Sequence, residues 1–193
     1  MAAGTFGAMA DEALAALAVR QPEAFDELVR RYQAKLLRYI RRLMLLNTQE
    51  AEDLLQDVFL SAYVNIVDFD PELKFSAWIY RIAHNRVISE FRKVSVRPTV
   101  SFEVEQDAVL RIASDVNLPV DMDRKILQKR IRDGLRKLPL KYREVLELYY
   151  FEGLAVQEIS DVLRKPIGTI GTLMRRGKQA FCEIIDCRTL SLL

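Results

Sequence analysis

Val94-Ser-Val-Arg-Pro-Thr-Val-Ser-Phe-Glu-Val-Glu-Gln-Asp-Ala-Val-Leu-Arg-Ile-Ala-Ser-Asp-Val-Asn-Leu-Pro-Val120 separates two stretches of strong helical periodicity. Pro98 and Pro119 punctuate it, and the acids Glu103, Glu105, Asp107 and Asp115 outnumber the bases Arg97 and Arg111. About 25 residues without a sustained apolar period is too long for a plain loop inside one compact domain, so residues 95–120 read as a linker. A chain of 193 residues then holds two small helical modules rather than one bundle. Half the residues are apolar and 29% are charged, with seven Gly and six Pro, which excludes disordered, collagen-like and turn-rich all-β compositions. The expected fold class is all-α: two small helical domains joined by a flexible linker, the second with a helix-turn-helix.

Upstream of the linker, Phe25, Leu28, Val29, Tyr32, Leu36, Ile40 and Leu43 recur at steps of three and four and predict a helix over 23–44. Arg30, Arg31, Lys35, Arg38, Arg41 and Arg42 fall between them and form a basic far face. Asn47 and Glu50 have the spacing of a capping box that would start the next helix. In that helix Leu54, Leu55, Val58, Phe59, Ala62, Tyr63 and Ile66 form the inward stripe, and Glu52, Asp53, Gln56 and Asp57 gather opposite. Asp68-Phe-Asp-Pro-Glu-Leu-Lys74 reads as a loop, because Pro71 disfavours helix at Asp70. A third helix follows over 75–93, with Phe75, Trp78, Ile79, Ile82 and Ala83 inward. Arg81, Asn85 and Arg92 fall within about 40° of one another on a different face of it.

Downstream, helices are expected over 121–137, ended by Leu138-Pro139, and over 140–151, stopped by Glu152-Gly153. A short helix with Val156, Ile159, Val162 and Leu163 then breaks at Arg164-Lys165-Pro166, and a longer one carries Ile170, Leu173, Met174, Phe181 and Ile184. Two helices joined by a tight turn over about 156–175 suggest a helix-turn-helix, with Ser160 as the small residue at the crossing. The turn commonly uses Gly for a left-handed backbone, and here Arg164 or Lys165 must serve. Thr169, Thr172, Arg175, Arg176, Lys178 and Gln179 make a polar face that either enters a DNA groove or is merely solvated.

The remaining composition argues by exclusion. One histidine, His84, and two cysteines, Cys182 and Cys187, cannot assemble a metal site of several soft ligands, and both cysteines read as ordinary thiols. No glycine-rich phosphate loop and no nucleophile paired with a base points to an enzyme, so neither catalytic residues nor a cofactor are expected. No apolar run has the length of a membrane span, and the first ten residues lack the pattern of a signal peptide, so a cytoplasmic protein is expected. The net charge of +2 says little about partners, because an average hides segregated patches.

Together the two modules resemble the extracytoplasmic-function (ECF) group of bacterial RNA polymerase sigma factors across residues 20–185. The resemblance is carried by Ala24-Phe25-Asp-Glu-Leu-Val-Arg-Arg-Tyr32, Ala51-Glu-Asp-Leu-Leu-Gln-Asp-Val-Phe-Leu-Ser-Ala-Tyr63 and Phe75-Ser-Ala-Trp-Ile-Tyr-Arg-Ile-Ala-His-Asn85. In the second module it rests on Leu138-Pro139, Tyr142-Arg-Glu-Val-Leu146, Gly153-Leu154, Glu158-Ile159 and Pro166-Ile-Gly-Thr-Ile170. These blocks, in this order, are far more specific than a lone helix-turn-helix. The resemblance divides the chain into an N-terminal extension (1–20), a region 2 domain (21–94), the linker (95–120), a region 4 domain (121–186) and a tail (187–193).

What the resemblance implies is a sigma factor that binds core RNA polymerase, brings it to promoters with −35 and −10 elements and assists their opening without catalysing a covalent step. Asp53, Leu54, Gln56, Asp57 and Leu60 would dock on the clamp helices of the polymerase largest subunit, and region 4 on the flap region. Asp68, Phe69, Ser76, Arg81, Asn85, Arg92 and Lys93 would serve the −10 element, with Asn85 and the 68–76 loop holding a flipped base. Trp78 fits the core, and Tyr80 fits either role. Thr169, Gly171, Thr172, Arg175, Arg176 and Lys178 would face the −35 duplex. Here the chain departs from the family, which has a basic residue and an arginine where Gly171 and Leu173 stand. The acidic linker would run toward the RNA exit path, and an anti-sigma factor is the expected regulator. The rival reading is a stand-alone operator-binding regulator that uses the second module on duplex DNA.

Overall fold

The computed structural model describes residues 6–44, 48–93, 106–116 and 124–185. Helices form two compact units, Met1–Thr99 with Asp161–Arg164 and Val100–Ser160 with Lys165–Leu193. In the first unit, α1 (Asp11–Ala18), α2 (Pro22–Met44), α3 (Thr48–Val64) and α4 (Phe75–Lys93) pack against one another, with a 3-10 turn, Ile66–Asp68, after α3. Pro22 suits the first position of α2, where the missing N–H would have had no partner in the helix. Leu28, Leu36, Tyr39, Ile40 and Leu43 are buried along one stripe, each large apolar side chain contributing on the order of 1.5–3 kcal/mol. The capping residue expected at Asn47 lies outside the described residues.

The described part of the N-terminal extension packs onto the unit, because α1 buries Leu14, Ala15 and Ala18 and is tied to α2 by polar bonds. Arg31 donates through Nη1 to Asp11 Oδ1 at 2.6 Å and to the Met9 carbonyl at 2.8 Å, and through Nη2 to the Phe6 carbonyl at 2.9 Å. Tyr32 donates its hydroxyl to Asp11 Oδ2 at 2.6 Å. Two members of the expected basic face of α2 are therefore not solvated: Arg31 is committed to α1, and Arg42 is buried at 1% exposure.

The second unit contains α5 (Gln106–Asp115), α6 (Arg124–Lys137), α7 (Leu140–Leu146), the first part of α8 (Val156–Leu163) and α9 (Ile167–Ile185), α7 running on into a π-helical turn, Glu147–Phe151. The stretch read as linker thus carries a helix of its own. Ala108, Val109, Ile112, Ala113 and Val116 are buried at i, i+1, i+4, i+5 and i+8, a helical stripe that the flanking prolines and acids disguise. Arg111 donates through Nη2 to the Tyr150 carbonyl, and Asp115 accepts from the Tyr150 hydroxyl at 2.5 Å and from Lys178 Nζ at 2.7 Å. Pro98, Pro119 and the acids Glu103 and Glu105 lie outside the described residues.

Close helix crossings in this unit depend on small residues. A Cβ on Gly134 would meet Ile185 Cγ2 at 2.5 Å and Phe181 Cε2 at 2.7 Å, so α6 and α9 pack with no room for a side chain there. Gly153 has φ +68° and ends the π-helical turn in the left-handed region, as its position after Glu152 predicts.

Candidate functional site

The surfaces that carry chemistry are set by these helices. On α3, Asp53, Gln56, Asp57 and Leu60 are exposed and fall within about 100° of arc. Leu54, grouped with them in the sequence reading, is buried in the unit at 8% exposure. From Leu60, 65% exposed, the same face continues into two apolar residues outside the expected docking set, Val64 at 68% and Val67 at 66% exposed. Tyr63, placed in the inward stripe, is also exposed, its ring meeting Phe25 edge-on at 5.2 Å. The signal was available, since Val64 follows Leu60 by four residues and Asp57 by seven, which puts all three on one face.

Below α3 the chain turns through Ile66–Asp68 and a loop to Phe75. Asp70 Oδ1 accepts from the Glu72 N–H at 3.0 Å, and the Leu73 N–H bonds the Asp70 carbonyl at 3.0 Å, so the loop is a closed turn around Pro71. Asp68 is exposed, but Phe69 is 6% exposed, which corrects its assignment to the DNA face. Its ring stands edge-on to Phe75 at 5.5 Å and to Trp78 at 5.4 Å, anchoring the loop to α4. Trp78 is core, and Tyr80 is buried edge-on against Tyr39 at 5.3 Å. Asn85 and Arg92 are exposed, while Ser76 and Arg81 are half-buried on the same helix. Arg86, absent from the expected set, reaches Ser61 Oγ on α3 at 3.0 Å. His84 is buried, its Nδ1 paired with the Tyr39 hydroxyl at 3.2 Å. The side chain of Lys93 lies outside the described residues.

Helices α8 and α9 are joined by a turn in which Arg164 adopts φ 50°, the left-handed role expected of Arg164 or Lys165. Ser160 closes it, donating its hydroxyl to the Lys165 carbonyl at 2.6 Å, while the Lys165 N–H returns to the Ser160 carbonyl at 3.2 Å. Lys165 Nζ reaches the buried Glu144 carboxylate at 3.3 Å; burial raises that carboxyl above its usual range, and Lys165 partly offsets it. Thr169, Thr172, Arg175, Arg176 and Gln179 are exposed within about 120° of arc on α9. Gly171 is exposed, and a Cβ there would meet nothing, so internal packing does not require glycine.

Lys178 departs from that face. It lies about 120° from Thr172 around the helix and is tied to Asp115 at 2.7 Å, with its ammonium 5.9 Å from the Tyr149 ring centre. The Lys178 bond, followed by the Tyr150 hydroxyl, lowers the Asp115 carboxyl below its usual range. Nothing among the described residues assembles three or more metal-ligating groups, and no described helix is long and apolar enough to cross a membrane.

Residues 28–96 match the model of sigma-70 region 2, and residues 128–181 match that of sigma-70 region 4. The chain is 39% identical over 163 residues to the ECF RNA polymerase sigma factor SigW of Bacillus subtilis, covering 82% of this chain and 87% of SigW. It is 32% identical over 168 residues to the RNA polymerase sigma-H factor of Pseudomonas aeruginosa, covering 84% and 86%. Among solved structures, CnrH in complex with the cytosolic domain of CnrY is similar at 25% identity and a TM-score of 0.69, covering 93% of this chain and 99% of CnrH. Regions 2 and 4 follow one another in a single chain with relatives aligned along most of their length, and the protein belongs to the ECF group of RNA polymerase sigma factors.

Proposed function

We propose that this sigma factor docks on the clamp helices of core polymerase through the outer face of α3, opens the −10 element with α4 and its preceding loop, and reads the −35 element with α9. The observation that carries the reading is the face of α3. Its acids Asp53 and Asp57 suit basic partner groups, and the uncovered Leu60, Val64 and Val67 beside them supply apolar area that water disfavours. On α4, Asn85 offers both a donor and an acceptor to an unstacked base, with Arg81 and Arg92 one and two turns away for the phosphates of the separated strand. On α9, Thr172, Arg175 and Arg176 share one exposed face that fits a major groove.

The protein performs no covalent step in this scheme. It works in the cytoplasm, where promoter and polymerase are. CnrH forms a complex with the cytosolic domain of CnrY; an anti-sigma partner of this chain would act by covering the docking surfaces proposed for polymerase and DNA. Run-off transcription with purified core polymerase tests the whole reading. Transcripts that start at defined sites only when the chain is added are expected, whereas duplex binding without core-dependent transcripts would favour the operator-binding regulator.

A further inference from the structure

Helix α1 lies ahead of the segment that matches region 2, yet it packs against α2, α4 and the 3-10 turn Ile66–Asp68. The last two bracket the 69–74 loop. Helix α4 begins at Phe75, directly after Lys74, whose side chain carries only donors and cannot cap a helix. The first N–H groups of a helix have no partner within it and need an acceptor from elsewhere. Glu12 supplies one: its Oε1 accepts from the Phe75 N–H at 3.2 Å, across 63 residues of sequence. A carboxylate at this end also meets the positive pole of the helix dipole. Next to it, Asp11 holds the Tyr32 hydroxyl, and the Tyr32 ring stands edge-on to Phe75 at 5.4 Å. Phe75 in turn meets Phe69, at the start of the loop, at 5.5 Å. Both ends of the loop are therefore referred to one helix.

We propose that Glu12 is a positioning residue for promoter opening, fixing the first turn of α4 and with it the loop that faces the −10 strand. The inference rests on the reading of Asn85 and this loop as the −10 pocket. Glu12 touches no DNA; it sets the place of the groups that do. Without the carboxylate the first turn of α4 frays, and the loop and Asn85 no longer hold a fixed separation.

The test compares full-length Glu12→Ala, Glu12→Gln and Asn85→Ala chains with the unaltered one, each assembled with core polymerase on a promoter mapped by run-off transcription. Amide exchange at Phe75, affinity for core and permanganate reactivity of the −10 thymines are read together. For Glu12→Ala, amide exchange should quicken and the open complex decline, each by about fivefold to tenfold, the scale of a lost cap, with affinity for core unchanged. Glu12→Gln keeps an oxygen acceptor and should recover most of the opening. Normal opening by Glu12→Ala, a parallel loss of core affinity and opening, or a Gln variant as defective as the Ala one would overturn the positioning role. Asn85→Ala separates the two layers. If it opens promoters normally, the −10 pocket reading itself fails; if it is defective while Glu12→Ala is not, only the role of Glu12 is lost.

Discussion

Glu27 stands between two guanidinium groups, and its carboxyl is held down to about 2, first by hydrogen bonds from Arg30 and then from Arg31, at 2.6 to 2.8 Å. Since the folded value is lowered from about 4.5, the stabilisation is complete above that pH and is lost as pH falls toward 2. An NMR titration of the Glu27 carboxyl should show a midpoint well below that of an ordinary glutamate; an ordinary midpoint would mean the pair is not formed in solution. On α9, replacing Arg175 and Arg176 with Ala should weaken binding to −35 duplex by about 1–3 kcal/mol per lost base contact. The salt dependence should also flatten by about 0.9 for each lost phosphate contact. An unchanged footprint and salt slope would place the DNA on another face. At this scale the exposure of polar side chains such as Asp53, Asn85 and Arg176 was legible in the sequence. It misled at Leu54 and Phe69, where burial depends on which neighbours arrive, and at Lys178, whose partner Asp115 is 63 residues away.

Helices announce themselves through spacing, and α2, α4 and α9 fall where their apolar stripes place them. Helix α5 did not, because its stripe spans about two turns and lies among acids and prolines, so its stability comes from packing rather than propensity. The left-handed turn residue at Arg164 was legible, since Pro166 leaves few places for the chain to reverse. Gly134 was not, because only the arrival of α9 makes its missing Cβ necessary. Gly134→Ala, in a helix interior where Ala is otherwise favoured by about 1 kcal/mol, should instead destabilise the region 4 unit by about 1–3 kcal/mol through overpacking. A chemical melt of the full chain measures it; a variant at least as stable as the parent would show that α6 and α9 have more room than these distances allow.

On the scale of the whole molecule, the proposed function divides the work between a unit that meets the polymerase and both units that meet DNA. Leu60 and Val64 are largely exposed, so charging them should leave folding intact while spoiling the apolar part of the docking surface. Leu60→Asp with Val64→Asp is expected to lower affinity for core polymerase by at least about tenfold, the equivalent of about 1.4 kcal/mol, with an unaltered melting temperature. Undiminished co-migration with core on a sizing column would remove α3 from the interface.

The chain's periodicities determined that it is helical and that it comes in two units, because amphipathic spacing at three and four residues and its interruption near Pro98 are local properties. Its motif blocks identified regions 2 and 4 for the same reason, since each block lies within one or two turns of helix. Tertiary structure decided the rest: that α1 caps α4 through Glu12, that Phe69 is an anchor, and that Asp115 claims Lys178. Each of these joins residues dozens of positions apart, and no local pattern encodes a partner that only the folded chain brings within hydrogen-bonding distance.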